Sequence, residues 1–290
     1  MDVKFVAEVS SNHNRDLERS KRFIEAAADS GCGGVKFQLF KVDQLFSAEI
    51  LRKSETHRKR KGWELPVEFI PHLSNHAHRL GLEFSCTPFY LDAVDELEPY
   101  VDFYKIASYE LLWKELFAKC GNTGKPLVFS TGMATIDEIE QAIRWLQGAR
   151  TKNVTILKCT SSYPTPVAES NLRGIETLRN ALGKYAREIE LSYGWSDHTV
   201  SQAVILRAIY HYNVRFVEFH LDLDGKGEEF KSGHCWLPQQ VKDLIRTVRD
   251  GFLADGSGEI QPSPSEQADR EWRRDPRDGL RPLAGMRKKF

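Results

Sequence analysis

The sequence predicts an α/β fold, a (β/α)8 TIM barrel, with the barrel over residues 1–258 and a polar C-terminal arm over 259–290 that is not a separate domain. Three observations point there. Eight strand-like runs alternate with helical patterns before residue 255, and alternation of this kind builds a parallel sheet. Eight units at this length favour a closed barrel over an open doubly wound sheet. Neither Gly-x-Gly-x-x-Gly after the first strand nor Gly-x-x-x-x-Gly-Lys-[Ser/Thr] occurs, so the usual nucleotide-loop signatures are missing.

Lys4 to Ser10 reads as the first strand, mostly apolar until Glu8 and Ser10. Asp16 can cap a helix whose Leu17, Phe23, Ile24 and Ala27 recur at helical spacing, and Gly31 ends it. Gly33 to Leu39 is the second strand, with Lys36 and Gln38 on one face. Residues 47–65 are less regular and hold the basic run His57 to Lys61, expected as a solvated face or as a flap near an anionic ligand. Pro66 to Leu80 reads as a helix, in which His72 and His76 lie four apart without an obvious third ligand.

The third strand is Leu82 to Thr87, stopped by Pro88. The fourth is Phe103 to Ala107 and the fifth Lys125 to Gly132. Thr135 and Glu138 have capping-box spacing and open a helix through Leu146. Val154 to Thr160 is the sixth strand, followed by the proline-bearing loop Ser161 to Pro166. The seventh runs from Ile189 into Gly194-Trp195-Ser196-Asp197-His198-Thr199, and the eighth is Phe216 to Asp222. A helix from about Pro238 to Leu253 closes the repeat. The tail carries Pro262, Pro264, Pro276 and Pro282 and few apolar residues at any period, so an extended or weakly ordered arm is expected.

Bulk properties narrow the function classes. A composition of 41% hydrophobic and 28% charged residues is that of an ordinary soluble globular protein. Formal net charge is zero, so nothing favours nucleic acid or an acidic membrane as partner. No apolar run approaches the roughly 20 residues that span a bilayer. The N-terminus lacks a signal-peptide core. The five cysteines are odd in number, far apart and form no Cys-x-x-Cys, which fits a reduced cytoplasm.

In the eighth strand, alternation puts Glu218, His220 and Asp222 on one side and Val217, Phe219 and Leu221 on the other. With His198 on the neighbouring strand, this raises a divalent metal site. Near the other strand ends lie Glu8, Lys36, Gln38, Thr87, Lys105, Ser108, Ser130, Lys158, Thr160 and Ser196. In a barrel these ends converge on one mouth, where such enzymes place their chemistry. Lysines are too costly to bury without counter-charge, so three of them with several hydroxyls suit a phosphate or carboxylate. A carbonyl polarised by a metal and an enol held by the lysines would allow carbon–carbon bond formation, with Glu8 or Glu218 managing a proton or an attacking water. Two alternatives stay open: a Schiff-base aldolase using Lys158, and a non-catalytic barrel that binds an acidic sugar.

Eight ordered motifs between residues 4 and 250 resemble the N-acetylneuraminate (sialic acid) synthase family. They are Ala7-Glu8-Val9-Ser10-Ser11-Asn12-His13-Asn14, Val35-Lys36-Phe37-Gln38, Cys86-Thr87-Pro88-Phe89, Tyr104-Lys105-Ile106-Ala107-Ser108-Tyr109-Glu110, Ser130-Thr131-Gly132-Met133, Cys159 through Pro166, Ser196-Asp197-His198-Thr199 and Glu218-Phe219-His220. The resemblance implies a cytoplasmic transferase of sialic acid or polysaccharide biosynthesis. It would condense phosphoenolpyruvate with an N-acetylated aminosugar, giving a nonulosonic 2-keto acid and phosphate, with manganese or magnesium on His198 and His220. Lys36, Thr87, Lys105, Ser108, Ser130 and Ser196 match positions that hold phosphoenolpyruvate. Glu8, Gln38 and Tyr163 match positions near the sugar and the reacting carbons, and Glu110 a further acid. Ser161 stands where some relatives have Asn, and Glu229 falls near a sugar-contacting Asp. A homodimer is a possible assembly. Relatives usually add a C-terminal antifreeze-like domain; the arm around Arg273-Arg274 and Leu280-Arg281 resembles the linker to it, and the domain itself is expected to be absent.

Overall fold

The computed structural model describes residues 3–290. Eight strands form the frame: β1 (Lys4–Glu8), β2 (Gly34–Leu39), β3 (Glu83–Pro88), β4 (Phe103–Ile106), β5 (Leu127–Ser130), β6 (Asn153–Lys158), β7 (Glu190–Asp197) and β8 (Phe216–Leu221). Each pairs in parallel with the next, and β8 pairs with β1, so the sheet closes as predicted. A short extra strand, Cys235–Trp236, runs parallel to the end of β8 just beyond its pairing with β7, with Cys235 opposite His220.

Side-chain alternation along closed strands builds the interior in layers. Val6, Phe103, Val128, Leu157 and Phe216 pack together as one buried apolar layer. One alternation step further along their strands come Glu8, Lys105, Ser130 and Glu218, which line the mouth. The apolar layer therefore floors the site. Gly194 of β7 sits in the same floor: a Cβ there would lie 2.5 Å from Leu157 Cδ2 and 2.5 Å from the Phe216 carbonyl oxygen.

Helices cover the outside of the barrel for the reasons the sequence suggested. Asp16 accepts a hydrogen bond from Arg19 N and starts the helix Leu17–Ser30, which Gly31 ends at φ 87°. Thr135 and Glu138 form both bonds of a capping box at the start of Ile136–Leu146. Pro66 to Leu80 is a 3-10 turn, Val67–Phe69, leading into the helix Ile70–Arg79. Between residues 42 and 63 the chain forms a series of short helical turns. The basic run pairs locally there, Lys59 with Glu55 at 3.0 Å and Lys61 with Asp43 at 2.8 Å. His76 contacts Glu25 and Arg79 on the surface.

Several strands stop earlier than their apolar pattern. Ser10 has φ 49° and Gly132 has φ 52°, so the chain turns into left-handed backbone just past β1 and β5. These turns shape the mouth. β3 instead runs through Pro88, whose missing N–H falls at the strand's last position.

The chain divides into two compact units, one through Val248 and one from Arg249 to Phe290. The second carries the short helical turns Pro264–Glu266, Gln267–Arg270 and Ala284–Arg287. Its buried Asp275 accepts hydrogen bonds from Arg277 N at 3.0 Å and Ala284 N at 2.7 Å. No helix among the described residues is long and apolar enough to cross a membrane.

Gly194→Ala should lower unfolding stability by about 1–3 kcal/mol, because the added methyl meets the Phe216 backbone carbonyl as well as the Leu157 side chain. Urea unfolding followed by circular dichroism checks this; an unchanged midpoint would contradict the packing of β7 against Phe216.

Candidate active site

The strand ends enclose a cavity of about 280 Å³. Its lining joins two unlike halves. One is built of ammonium groups, carboxylates and hydroxyls, the other of imidazoles.

In the first half, Lys36 of β2 pairs with Glu8 of β1 and lies 3.7 Å from Glu218 of β8. It also donates to Thr87 Oγ1 at 3.2 Å. Lys105 of β4 lies 3.7 Å from the other Glu218 oxygen and donates to the Ile106 carbonyl at 3.1 Å. Glu8 accepts from Ser10 N at 2.7 Å, and Glu218 accepts from Ser196 Oγ at 2.9 Å. All four charged groups are buried, at 6% exposure or less. Two cations thus face two anions, the condition for keeping charge out of water. Burial pushes Lys36 down to about 8 against the pull of Glu218, and the like charge of Lys105 adds to the depression. Burial works to raise the Glu218 carboxyl, but Lys105 and Lys36 outweigh it and hold the group at about 2.

Hydroxyls complete this half. Ser108 Oγ and Ser161 Oγ lie 2.8 Å apart beside Gly132, where a Cβ would come within 2.4 Å of Ser108 Cβ and 2.6 Å of Ser161 Oγ. Only glycine fits that approach, and its φ of 52° favours glycine too. Ser130 Oγ is buried and has no hydrogen-bond partner among the described residues, although Ser130 lines the cavity. Glu110 Oε2 is likewise buried and unpartnered. Burial lifts the Glu110 carboxyl to about 7, with Lys105 opposing.

In the second half, the His198 and His220 rings are 5.4 Å apart. His198 Nδ1 lies 2.8 Å from the Thr160 carbonyl oxygen, which can only accept, so Nδ1 carries the proton. His220 Nδ1 lies 2.8 Å from Glu229 Oε2. Each ring thereby keeps Nε2 free of any hydrogen bond among the described residues, the arrangement of metal-binding histidines. Burial and then the neighbouring His220 lower His198 to about 3, so it stands neutral. Glu229 also accepts from Ser11 N at 3.2 Å and Ser11 Oγ at 2.8 Å. Burial opposes its ionisation, yet His220 and His234 beside it hold it well below the usual carboxylate range. Tyr163 packs on His198 at 4.3 Å and on His234 at 5.1 Å.

Of the residues singled out in the sequence, Glu8, Lys36, Gln38, Lys105, Ser108, Ser130, Tyr163, Ser196, His198, His220 and Glu229 line this one cavity. Thr87 and Ser161 stand behind it, bonded to Lys36 and Ser108, and Glu110 lies outside the lining. Two expectations are corrected. Lys158 does not reach the mouth: its ammonium sits over the Trp195 ring and its Cε lies on the side of Gly174 in the outer helix. Leu157 is the inward residue there. Asp222 does not join Glu218 and His220 in the cavity lining, and lies just past β8, which ends at Leu221. Its carboxylate accepts from Leu223 N and Gly227 N and lies 3.6 Å from Arg19. Sequence reasoning missed His234, Tyr109, Phe89 and Cys159 in the lining. His234 follows an irregular stretch with no periodicity to orient it; only the register of Cys235 with His220 brings it in.

Fold and site together define a (β/α)8-barrel enzyme with buried lysines and a histidine group in one mouth. The NeuB family model matches residues 23–260. N,N'-diacetyllegionaminic acid synthase of Campylobacter jejuni subsp. jejuni serotype O:2 is 34% identical over 278 residues, covering 90% of this chain and 80% of its own. Pseudaminic acid synthase of Helicobacter pylori is 28% identical, covering 90% and 78%. The crystal structure of N-acetylneuraminic acid (sialic acid) synthetase from Leptospira borgpetersenii serovar Hardjo-bovis, in complex with citrate, superposes with a TM-score of 0.76 at 25% identity, covering 96% of this chain and 93% of that one. The chain belongs to the NeuB family, as the motifs on its strands indicated.

Glu218→Gln leaves Lys36 and Lys105 short of a buried counter-charge, and should cost about 3–5 kcal/mol at neutral pH. The Glu218 carboxyl is held low in the fold, so its contribution is present above its ordinary value of 4.5 and is lost as pH falls toward about 2. Denaturant unfolding of both proteins across pH should show the gap closing below 4.5; a gap independent of pH would show that the carboxylate charge is not what stabilises the mouth.

Proposed function

We propose that the protein condenses phosphoenolpyruvate with an N-acetylated hexosamine-type aldose, giving a sialic-acid-like 2-keto-3-deoxy nonulosonic acid and inorganic phosphate, with a divalent metal, manganese or magnesium, at His198 and His220. The observation that carries this is the division of one cavity into an ammonium-and-hydroxyl half and an imidazole half. The relatives named above, synthases of legionaminic, pseudaminic and sialic acids, support the same reading.

In this reading Lys36, Lys105, Ser108, Ser130 and Ser196 bind the phosphate and carboxylate of phosphoenolpyruvate, helped by Thr87. Ser130 Oγ, buried and unpartnered, has a donor to give. Gln38, Tyr163 and Glu229 face the aldose, and Ser161 holds Ser108 in place. The enol carbon of phosphoenolpyruvate forms a bond to the aldehyde carbon, whose oxygen takes a proton. Water adds to the carbon bearing the phosphate, and that carbon–oxygen bond then breaks to release phosphate. Of the two water protons, one replaces the proton delivered to the new hydroxyl and the other leaves with phosphate. Glu8, fixed by Ser10 N and Lys36, is placed to handle the first of these. A divalent ion on the free Nε2 atoms of His198 and His220 would supply polarisation of the aldehyde oxygen. The anchored Nδ1 atoms fit that donor role. Lys158 lies outside the cavity, so the Schiff-base alternative loses its amine.

The test is phosphate release from phosphoenolpyruvate with manganese and a panel of hexosamine derivatives. Release should stop with chelator, return with manganese, and fall to background in His198→Ala and His220→Ala. Full activity in either variant would exclude the metal assignment, and no release with any aldose would exclude the condensation. Separately, Ser130→Ala should raise KM for phosphoenolpyruvate about ten-fold, the loss of one charge-assisted hydrogen bond, with KM for the aldose unmoved.

A further inference from the structure

A third histidine stands in the imidazole half. His234 is 94% buried by its 6% exposure and lines the cavity. The strand Cys235–Trp236 holds it there by pairing Cys235 with His220 and Trp236 with Leu221. Its ring lies 4.9 Å from that of His220. Its Nε2 is 3.6 Å from Glu229 Oε2, the oxygen that also meets His220 Nδ1. Its Nδ1 is buried and has no hydrogen-bond partner among the described residues.

A buried ring nitrogen without a partner costs free energy and requires an explanation. The same pattern holds for all three rings. One nitrogen of each meets an anchor, the Thr160 carbonyl for His198 and Glu229 for the other two. The second nitrogen is left free. Rings that share one ion, each with a nitrogen about 2.1 Å from it, have centroids roughly 5 Å apart. The separations of 5.4 Å and 4.9 Å fit that spacing. The potential ligand atoms of His220, Glu229, His234 and Cys235 lie within 4.8 Å of one another. Cys235 does not line the cavity and its sulfur faces Asn12 and Glu229. Glu229 is taken up by Ser11 and His220. Within that group His234, like His220, keeps one ring nitrogen free.

We infer that His234 is a third protein ligand of the divalent ion proposed at His198 and His220, an inference that rests on that reading. Glu229 then serves as a positioning residue that orients two of the three rings. A third imidazole moves the donor set away from what suits magnesium and toward iron or zinc, with manganese serving as the spectroscopic probe.

The experiment is manganese binding to the chelator-treated full chain by titration calorimetry, with nitrogen couplings of the bound ion counted by pulsed electron paramagnetic resonance. Wild type should show three imidazole nitrogens. His234→Ala should show two, bind manganese at least about ten-fold more weakly, and keep its circular dichroism. Two nitrogens in the wild type would overturn the inference and leave the His198–His220 site standing, without any variant having to fold. Unchanged affinity in His234→Ala would overturn it equally. A wild type that binds no manganese would overturn the metal reading and this inference together.

Discussion

Four buried charges set the conditions for the rest of this molecule. Lys36, Glu8, Glu218 and Lys105 come from four strands, and each is 6% exposed or less. Desolvating two ammonium groups is tolerable only because two carboxylates are fixed against them. A closed parallel barrel does that fixing. Glu8 and Lys36 are register partners across β1 and β2, and on the other edge of β1 Glu8 is the register partner of His220 of β8. The apolar floor beneath them keeps the strand ends from sliding. An anionic ligand must then compete with Glu8 and Glu218 for the same ammonium groups, so the site is held in shape before any ligand enters.

The imidazole half is fixed from behind in a different way. Asp197, on the outer side of β7, accepts from Trp195 Nε1 and Trp236 Nε1 at 3.0 Å each, from Thr199 Oγ1 at 2.7 Å and from Val200 N at 3.0 Å. Burial pushes this carboxyl up, and the four bonds oppose it. One side chain thereby ties β7 to the strand Cys235–Trp236, and so locks the segment carrying His198 against the segment carrying His234. Preorganisation of this kind keeps ligand atoms in place at no further conformational cost.

The strand order and most of the mouth were legible in the sequence because apolar runs and polar strand ends follow simple rules. Glu8, Lys36, Lys105, Ser130, Ser196, His198 and His220 all fall on inward positions at the ends of their strands. The misreadings have a physical source. Parallel barrel strands are buried on both faces, so in Ile156-Leu157-Lys158 both phases look acceptable, and only the packed structure shows Leu157 inward. Alternation points Asp222 inward only if it is carried one residue beyond Leu221, the last register-paired position of β8. His234 carries no periodic signal, since it owes its place to a two-residue strand pairing.

Depth separates what is fixed in this site from what is adjustable. Lys36 and Lys105 are 3% and 2% exposed, whereas Tyr163 is 38% and Tyr109 65% exposed at the rim. Groups at the bottom are supplied by strands and share counter-charges, so altering one disturbs its partners. Groups at the rim come from loops after the strands and have few such partners, which lets them vary without unbalancing the charges below. Under the proposed reading, the phosphoenolpyruvate contacts occupy the coupled floor and the aldose contacts the rim. Relatives named for legionaminic, pseudaminic and sialic acids are what that division leads one to find on a single barrel. Glu229 and His234 lie where the two zones meet. A change there alters acceptor contacts and imidazole orientation at once, because Glu229 Oε2 is shared by His220 and His234.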